Sequence, residues 1–242
     1  MKLKRIVSIL FLFTSLISSL SAAQYRAVLE PISRTMLSAE VESTVTAINK
    51  RMGESFEKDD VLITLKDTIF VANYTKAKAL AVKAKADYEA KEQLYRDKVV
   101  THFEFREAQA SLAMAEADLI LAREGYEAAF IKAPYNGKVV DIYVREFERV
   151  QAGVNVIEIL DDNILIAKLL LPEELIQQIQ VGTEIELVIE ETGSKHQAKI
   201  VRVGAVIDPV SSLFKVEAEI DNLSHQLRAG MEGMFVIPEA SL

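Results

Sequence analysis

Residues 38–67 read SAEVESTVTAINKRMGESFEKDDVLITLKD, and residues 131–162 read IKAPYNGKVVDIYVREFERVQAGVNVIEILDD. Both alternate apolar and polar positions over short runs broken by Gly and charged turns, the pattern of short β-strands with one buried face. The second stretch repeats the plan of the first. What lies between them is of another kind. Over residues 68–97 and again over 102–129 there is neither Pro nor Gly except Gly125, and helix formers, above all Ala, fill both runs. A β-sandwich cut at its tip and extended by two helices has no evident catalytic purpose; it suits a spacer or adaptor.

The helical runs carry their own pairing code. In the second, Phe105, Ala108, Leu112, Ala115, Leu119, Ala122, Tyr126 and Ala129 recur at alternating spacings of three and four. In the first, Tyr74, Ala77, Ala81, Ala84, Tyr88 and Tyr95 do the same, interrupted by Lys91. These are heptad seams, and their alternation of large and small residues lets two antiparallel helices interdigitate as a coiled coil. Each helix would be roughly 45 Å long. Only a few residues around Lys98, Val99 and Val100 remain for the turn, so the helices must fold back on each other. Thr101 with Glu104 has the form of a capping box for the returning helix, and Val100 can staple onto Phe105. The charged residues between the seams read as the solvated face of the arm.

The N-terminus locates the protein. Lys2, Lys4 and Arg5 precede an apolar run over residues 6–20, and Ser21, Ala22 and Ala23 follow as a small-residue cleavage site. This is a secretory signal over residues 1–23; the competing reading, an uncleaved anchor, meets a run short for a span of about 20 residues. Without those three cations, the remaining 25 basic and 36 acidic residues leave a net charge of −11. Such a balance argues against nucleic acid or anionic lipid as the main partner. The chain has no cysteine, which excludes disulfides, thiolate metal sites, cysteine nucleophiles and lipid attachment through an N-terminal Cys.

The C-terminal part alternates again. Strands are expected over residues 165–171, 184–189, 199–203, 214–220 and 234–237, with Pro172, Glu173 and Glu174 opening a short helix that runs to Ile179, and a turn at Thr192 and Gly193. Several short strands with one small helix suggest a small antiparallel barrel. The acidic pair Asp161 and Asp162 reads as a turn between domains.

At this point the residues resemble a known family, the periplasmic adaptors of tripartite efflux pumps, also called membrane fusion proteins or the HlyD-like family. Ile131-Lys132-Ala133-Pro134-Tyr135-Asn136-Gly137-Lys138-Val139 is similar to the family's I-x-A-P-[FY]-x-G-x-V, and residues 207–216 (IDPVSSLFKV) resemble its barrel segment I-x-P-x-[IV]-D-x-x-T-R-T-x-x-V. Asn222, Leu227, Gly230 and Met231 resemble the N-x-x-x-x-L-x-x-G-M that follows. Asp59 and Phe147 stand where the family usually has turn glycines, Ser211 to Leu213 replace its Thr-Arg-Thr, and Ala90 stands where an Arg is associated with channel docking. The resemblance implies a mixed, mainly β fold with an α-helical hairpin: a lipoyl-like β-sandwich (residues 37–67 and 131–162), split by a coiled-coil hairpin (68–130), followed by a small antiparallel β-barrel (163–238). A membrane-proximal domain is not expected.

What the resemblance implies for function is an adaptor in the periplasm, associated with the inner membrane through its partners. It would link an inner-membrane transporter, of resistance-nodulation-division (RND) type in preference to an ATP-driven (ABC) one, to an outer-membrane channel for export of small molecules, its copies forming a ring of six. Leu94, Lys98, Val99, Val100 and Thr101 at the hairpin tip would face the channel, while Pro134, Gly137 and Gly230 would be fold-critical turns. No cofactor, metal, catalytic residue or nucleic-acid partner is expected. His102, His196 and His225 fall on three different elements, and Met36, Met52, Met114, Met231 and Met234 are dispersed, so neither type forms a ligand set. A swinging-arm carrier using Lys66 is disfavoured because the coiled coil occupies the tip such a lysine would need. An envelope scaffold with the same arm and no pump is the alternative.

Overall fold

The computed structural model describes residues 24–236. The expected signal over residues 1–23 lies outside them, as do the last two residues of the expected barrel segment. In chain order the elements are β1 (Gln24–Ser38), β2 (Ser43–Ile48), β3 (Ser55–Phe56), β4 (Val61–Leu65), α1 (Thr68–Arg96), α2 (His102–Glu127), β5 (Phe130–Lys132), β6 (Gly137–Ile142), β7 (Arg149–Val150), β8 (Asn155–Pro172), a 3-10 turn (Glu173–Leu175), β9 (Glu184–Ile189), β10 (Lys195–Ile207), β11 (Leu213–Asp221) and β12 (Glu232–Val236). They divide into two units, one over residues 31–163 and one built from the described residues before and after it. Among the described residues no helix is long and apolar enough to cross a membrane.

In the first unit, β5, β4, β2 and β7 hydrogen-bond in that order, while β3 pairs with β6 and β6 with β8. Val45, Leu62, Leu65, Val139, Val156 and Ile159 from both sets of strands meet in one core. Burial of such aliphatic side chains, each contributing about 1.5–3 kcal/mol, holds the strands together. The helical hairpin leaves this core and returns to it at a fixed point. The Leu65 N–H donates to the Ala129 carbonyl at 2.8 Å, and Ala129 is fully buried. Asp59 and Phe147, the two positions where turn glycines were expected, do adopt left-handed backbone, with φ of 68° and 70°.

Gly137 has a different role from the bend the sequence suggested. It opens β6 opposite Phe56, and a Cβ there would lie 2.0 Å from the Leu160 carbonyl oxygen. Its missing side chain lets two strands approach. Pro134 is exposed, in the bend between β5 and β6.

The second unit is a succession of antiparallel pairs, β1–β12, β12–β9, β9–β10, β10–β11 and β11–β8. β1 also pairs with β8, so the succession returns to its start as a ring of six strands; the Lys168 ammonium meets the Glu30 carboxylate at 2.5 Å between them. Leu165, Ala167, Leu169 and Leu171 alternate into the core with Ile185, Leu187, Ile200, Phe214 and Val216. Gly230 sits in the loop before β12 with φ of 92° and open space around its Cα, so its requirement is conformational.

Three local expectations change. Gln24–Val28 was not assigned a strand, yet it pairs with β12 from Gln24 opposite Val236 to Val28 opposite Glu232, and buries Ala27 and Leu29. Asp161 and Asp162 are not a turn; β8 runs straight through them, because Asp162 turns its carboxylate to the Lys138 ammonium at 2.6 Å. The helix expected to run to Ile179 is a single 3-10 turn over Glu173–Leu175 followed by irregular turns.

Candidate docking surface on the helical hairpin

The hairpin is held by the residues whose spacing suggested it. Ala77, Ala81, Ala108 and Ala129 are buried, and the remaining seam positions are half-buried apart from Tyr95, which is exposed at the tip. Lys91, the polar interruption, is half-buried at its seam position. Rings close both ends of the seam. Tyr74 stacks on Tyr126 with centroids 5.7 Å apart, and Tyr95 stacks on Phe105 at 5.0 Å. Residues near the start of α1 thus meet residues near the end of α2, and the reverse, so the helices are antiparallel.

The tip is built from two helix caps back to back. At the end of α1 the Val99 N–H donates to the Leu94 carbonyl at 2.8 Å and the Lys98 N–H to the Tyr95 carbonyl at 3.0 Å, the paired bonds of a Schellman motif. The motif needs one left-handed residue, usually Gly, and here Lys98 supplies it with φ of 61°. At the start of α2 the Glu104 N–H donates to the Thr101 hydroxyl, and the Glu104 carboxylate accepts from the Thr101 N–H at 2.8 Å. The expected capping box is therefore present. The Thr101 N–H first, and its hydroxyl second, hold the Glu104 carboxyl below the usual carboxylate range.

These caps bring Leu94, Lys98, Val99, Val100 and Thr101 together in one turn. Leu94 and Val99 are exposed and Val100 is half-buried, so the turn presents aliphatic surface beside the Lys98 cation. It offers no acid–base pair and no nucleophile. Among the described residues no group of three or more His, Asp or Glu is placed to hold a metal ion.

A second apolar stripe went unnoticed in the sequence. On the outward side of α2, Phe103, Ala110, Met114, Ala117 and Leu121 follow spacings of seven, four, three and four and are all exposed, Phe103 at 75% and Leu121 at 71%. Ile69 and Val82 are likewise exposed on α1. The stripe repeats the large–small alternation of the inner seam, which was the available signal; the abundance of Ala made this face look merely solvated.

No family model matches the chain. It is 22% identical over 203 residues, 83% of its own length, to an uncharacterized protein of Haemophilus influenzae (strain Rd), and spans about half, 53%, of that protein's length. Solved structures share its fold. A MacA–MexA chimera carrying the Pseudomonas aeruginosa MexA α-hairpin superposes with a TM-score of 0.74 at 21% identity, over 89% of this chain and 81% of that one. A membrane fusion protein from Streptococcus pneumoniae R6 does so with a TM-score of 0.68 at 15% identity, over 90% of this chain and all (100%) of its own. The periplasmic adaptor protein EmrA matches with a TM-score of 0.50 at 14% identity, over 89% of this chain and 99% of that one. The chain has the fold of the membrane fusion and periplasmic adaptor proteins.

Proposed function

We propose that this protein is a periplasmic adaptor of an efflux assembly. It is exported by its N-terminal signal, and its hairpin, a coiled-coil arm on a lipoyl-like unit, spans the distance between an inner-membrane transporter, RND-type in preference to ABC, and an outer-membrane channel. The β-barrel unit faces the transporter. The tip residues Leu94, Lys98, Val99, Val100 and Thr101 meet the channel. Several copies, six in the favoured arrangement, close a ring, and the mechanism is geometric: the protein positions and seals, and does no bond chemistry.

The observation that carries this reading is the outward stripe from Phe103 to Leu121. An isolated arm has no use for a second heptad seam in water, where exposed aromatic and aliphatic side chains only promote association. Arms standing side by side need one, since each must accept a neighbouring helix on its outer face.

Affinity purification from cross-linked envelopes tests this. Wild-type protein is expected to bring down an inner-membrane transporter and an outer-membrane channel and to form a ladder of its own oligomers. A Phe103→Glu, Leu121→Glu variant, which leaves the inner seam intact, should lose the ladder while remaining folded. Recovery of neither partner with the protein exported and intact would replace this reading by that of an envelope scaffold.

A further inference from the structure

We propose that the arm selects its lateral neighbour by charge: α1 of one copy receives α2 of a second, with Lys78 and Lys83 set against Glu124 and Asp118. The proposal rests on the reading of arms standing side by side, and it names the residues that decide which faces meet. α1 carries six basic and three acidic residues, a net +3, whereas α2 carries two basic and six acidic, a net −4. The contrast is sharpest in the half of the arm nearer the strands. There α1 has Lys76, Lys78, Lys83 and Lys85, all exposed, and no acid before Asp87. Across from them on α2, Glu116, Asp118 and Glu124 are exposed as well.

The hairpin does not use this opposition itself. The Arg96–Glu92 and Arg123–Glu127 pairs each stay within one helix, and among the described residues no ion pair joins α1 to α2. A partner of a single sign would be attracted by one helix and repelled by the other. A second copy of the chain presents both signs, and two copies related by a shift alone set the basic helix of one beside the acidic helix of the next.

The heights of these residues agree. The stacked pairs Tyr74–Tyr126 and Tyr95–Phe105 are 21 residues apart on both helices (95 − 74 and 126 − 105), so each step along α1 matches one step back along α2. Counted from Tyr74 and Tyr126, Lys83 stands within one residue of the level of Asp118, and Lys78 within two of Glu124. Copies in a closed ring are related by rotation without a shift along its axis, so levels shared within one arm are shared between neighbours. The same count puts the exposed Leu121 and Met114 of the α2 stripe level with Ala79 and Ala86, both exposed on the side of α1 turned away from the seam. Large side chains thus meet small ones between the flanking charges. A two-fold contact between two α2 stripes would instead set acid against acid and Leu121 against its own copy.

The absence of cysteine makes the test direct. The full chain carrying Ala79→Cys and Leu121→Cys has its two thiols on opposite outer sides of one hairpin, roughly 20 Å apart and too far for a disulfide within it. Oxidation at low salt is expected to link copies into a ladder that weakens as salt is raised. Adding Lys78→Glu and Lys83→Glu to this parent should reduce the ladder about tenfold, and so should adding Asp118→Lys and Glu124→Lys. An equimolar mixture of the two reversed proteins should recover it, because each then offers the other an opposite face; recovery also shows that both are folded. A ladder that survives either reversal, or a mixture that fails to recover it, overturns the charge assignment. Leu121→Cys alone linking as efficiently as the double-cysteine parent overturns it too and assigns a two-fold contact between α2 stripes. No ladder from the parent at low salt refutes the side-by-side reading itself, and this proposal with it.

Discussion

Replacing Gly137 by Ala tests the tightest contact in the fold. The new Cβ would lie 2.0 Å from the Leu160 oxygen, 2.9 Å from the Leu160 carbonyl carbon and 3.2 Å from the Phe56 ring. Two of the three are backbone atoms of β8, paired at this point with Lys138 of β6, so no rotamer change relieves them. Restoring ordinary contact needs a separation of roughly 1 Å or more between β6 and β8. That movement weakens ladder hydrogen bonds of about 0.5–1.5 kcal/mol each and loosens the packing of Val139 and Ile159, both almost fully buried, for a further 1–3 kcal/mol or so. Against this, Ala lowers the entropy of the unfolded chain by about 0.4–1 kcal/mol. The net expectation is a loss of about 3 kcal/mol, confined to the unit of residues 31–163. Because the two units can unfold separately, the measurement is native-state hydrogen exchange at the Val139 and Ile157 amides rather than a single melting curve. Gly230→Ala is the control. Nothing lies within 4 Å of its Cβ but its φ is 92°, so it should cost only about 1–2 kcal/mol, and only in the other unit. A Gly137→Ala protein that keeps its Val139 protection to within about 1 kcal/mol would refute the close-approach account.

Two further expectations concern single residues. Lys98→Gly relieves a left-handed lysine and should slow exchange of the Val99 amide by roughly 1 kcal/mol while weakening recovery of the channel, whereas faster exchange would mean the turn is not strained. Glu158, hydrogen-bonded by the Arg34 guanidinium at 2.6 Å and the Tyr143 hydroxyl at 2.8 Å, is held below the ordinary glutamate value of 4.5, chiefly by Arg34. A depressed carboxyl contributes stability that is complete above its unfolded pKa and disappears as pH falls through the folded one. Glu158→Gln should therefore flatten the acid-side loss of stability of residues 31–163, and an unchanged acid limb would show that Arg34 and Tyr143 do not couple to folding.

Much of the first unit was legible because its signals are local. The three–four spacing from Phe105 to Ala129 identified the seam side chains, and the capping pair Thr101 and Glu104 fixed where α2 begins. Asp59 and Phe147 could be recognised as turn positions even without Gly, since the repeat marked the place where left-handed backbone was needed. The second unit was harder because its closure is not local. The strand at Gln24 finds its partner at Val236, at the far end of the described chain, and Pro31 within β1 argues against a long strand by the usual rule. The pair Asp161 and Asp162 misled for an electrostatic reason. Two adjacent acids suggest solvent, but the cation that holds Asp162 in the strand comes from Lys138, a neighbour in space that spacing cannot reveal.

The outward faces explain why association, rather than chemistry, is the function this fold expresses. Both units satisfy their own cores: the inner seam, the strand cores and the caps leave no fold-related reason for Phe103 or Leu121 to lie in water. Both sit on a capped helix, so ordered backbone displays them. Such a surface costs solubility in the free protein, and in a chain whose net charge is −8 that charge counters aggregation. The stripe on α2 has the periodicity of a helix and so asks for a helical neighbour. The Phe103→Glu, Leu121→Glu protein should therefore keep the hydrogen bond that closes the hairpin, read as unchanged exchange at the Leu65 amide, while its oligomer ladder disappears. If exchange at Leu65 rises as the ladder is lost, the outward stripe supports the hairpin itself and the association assigned to it is wrong.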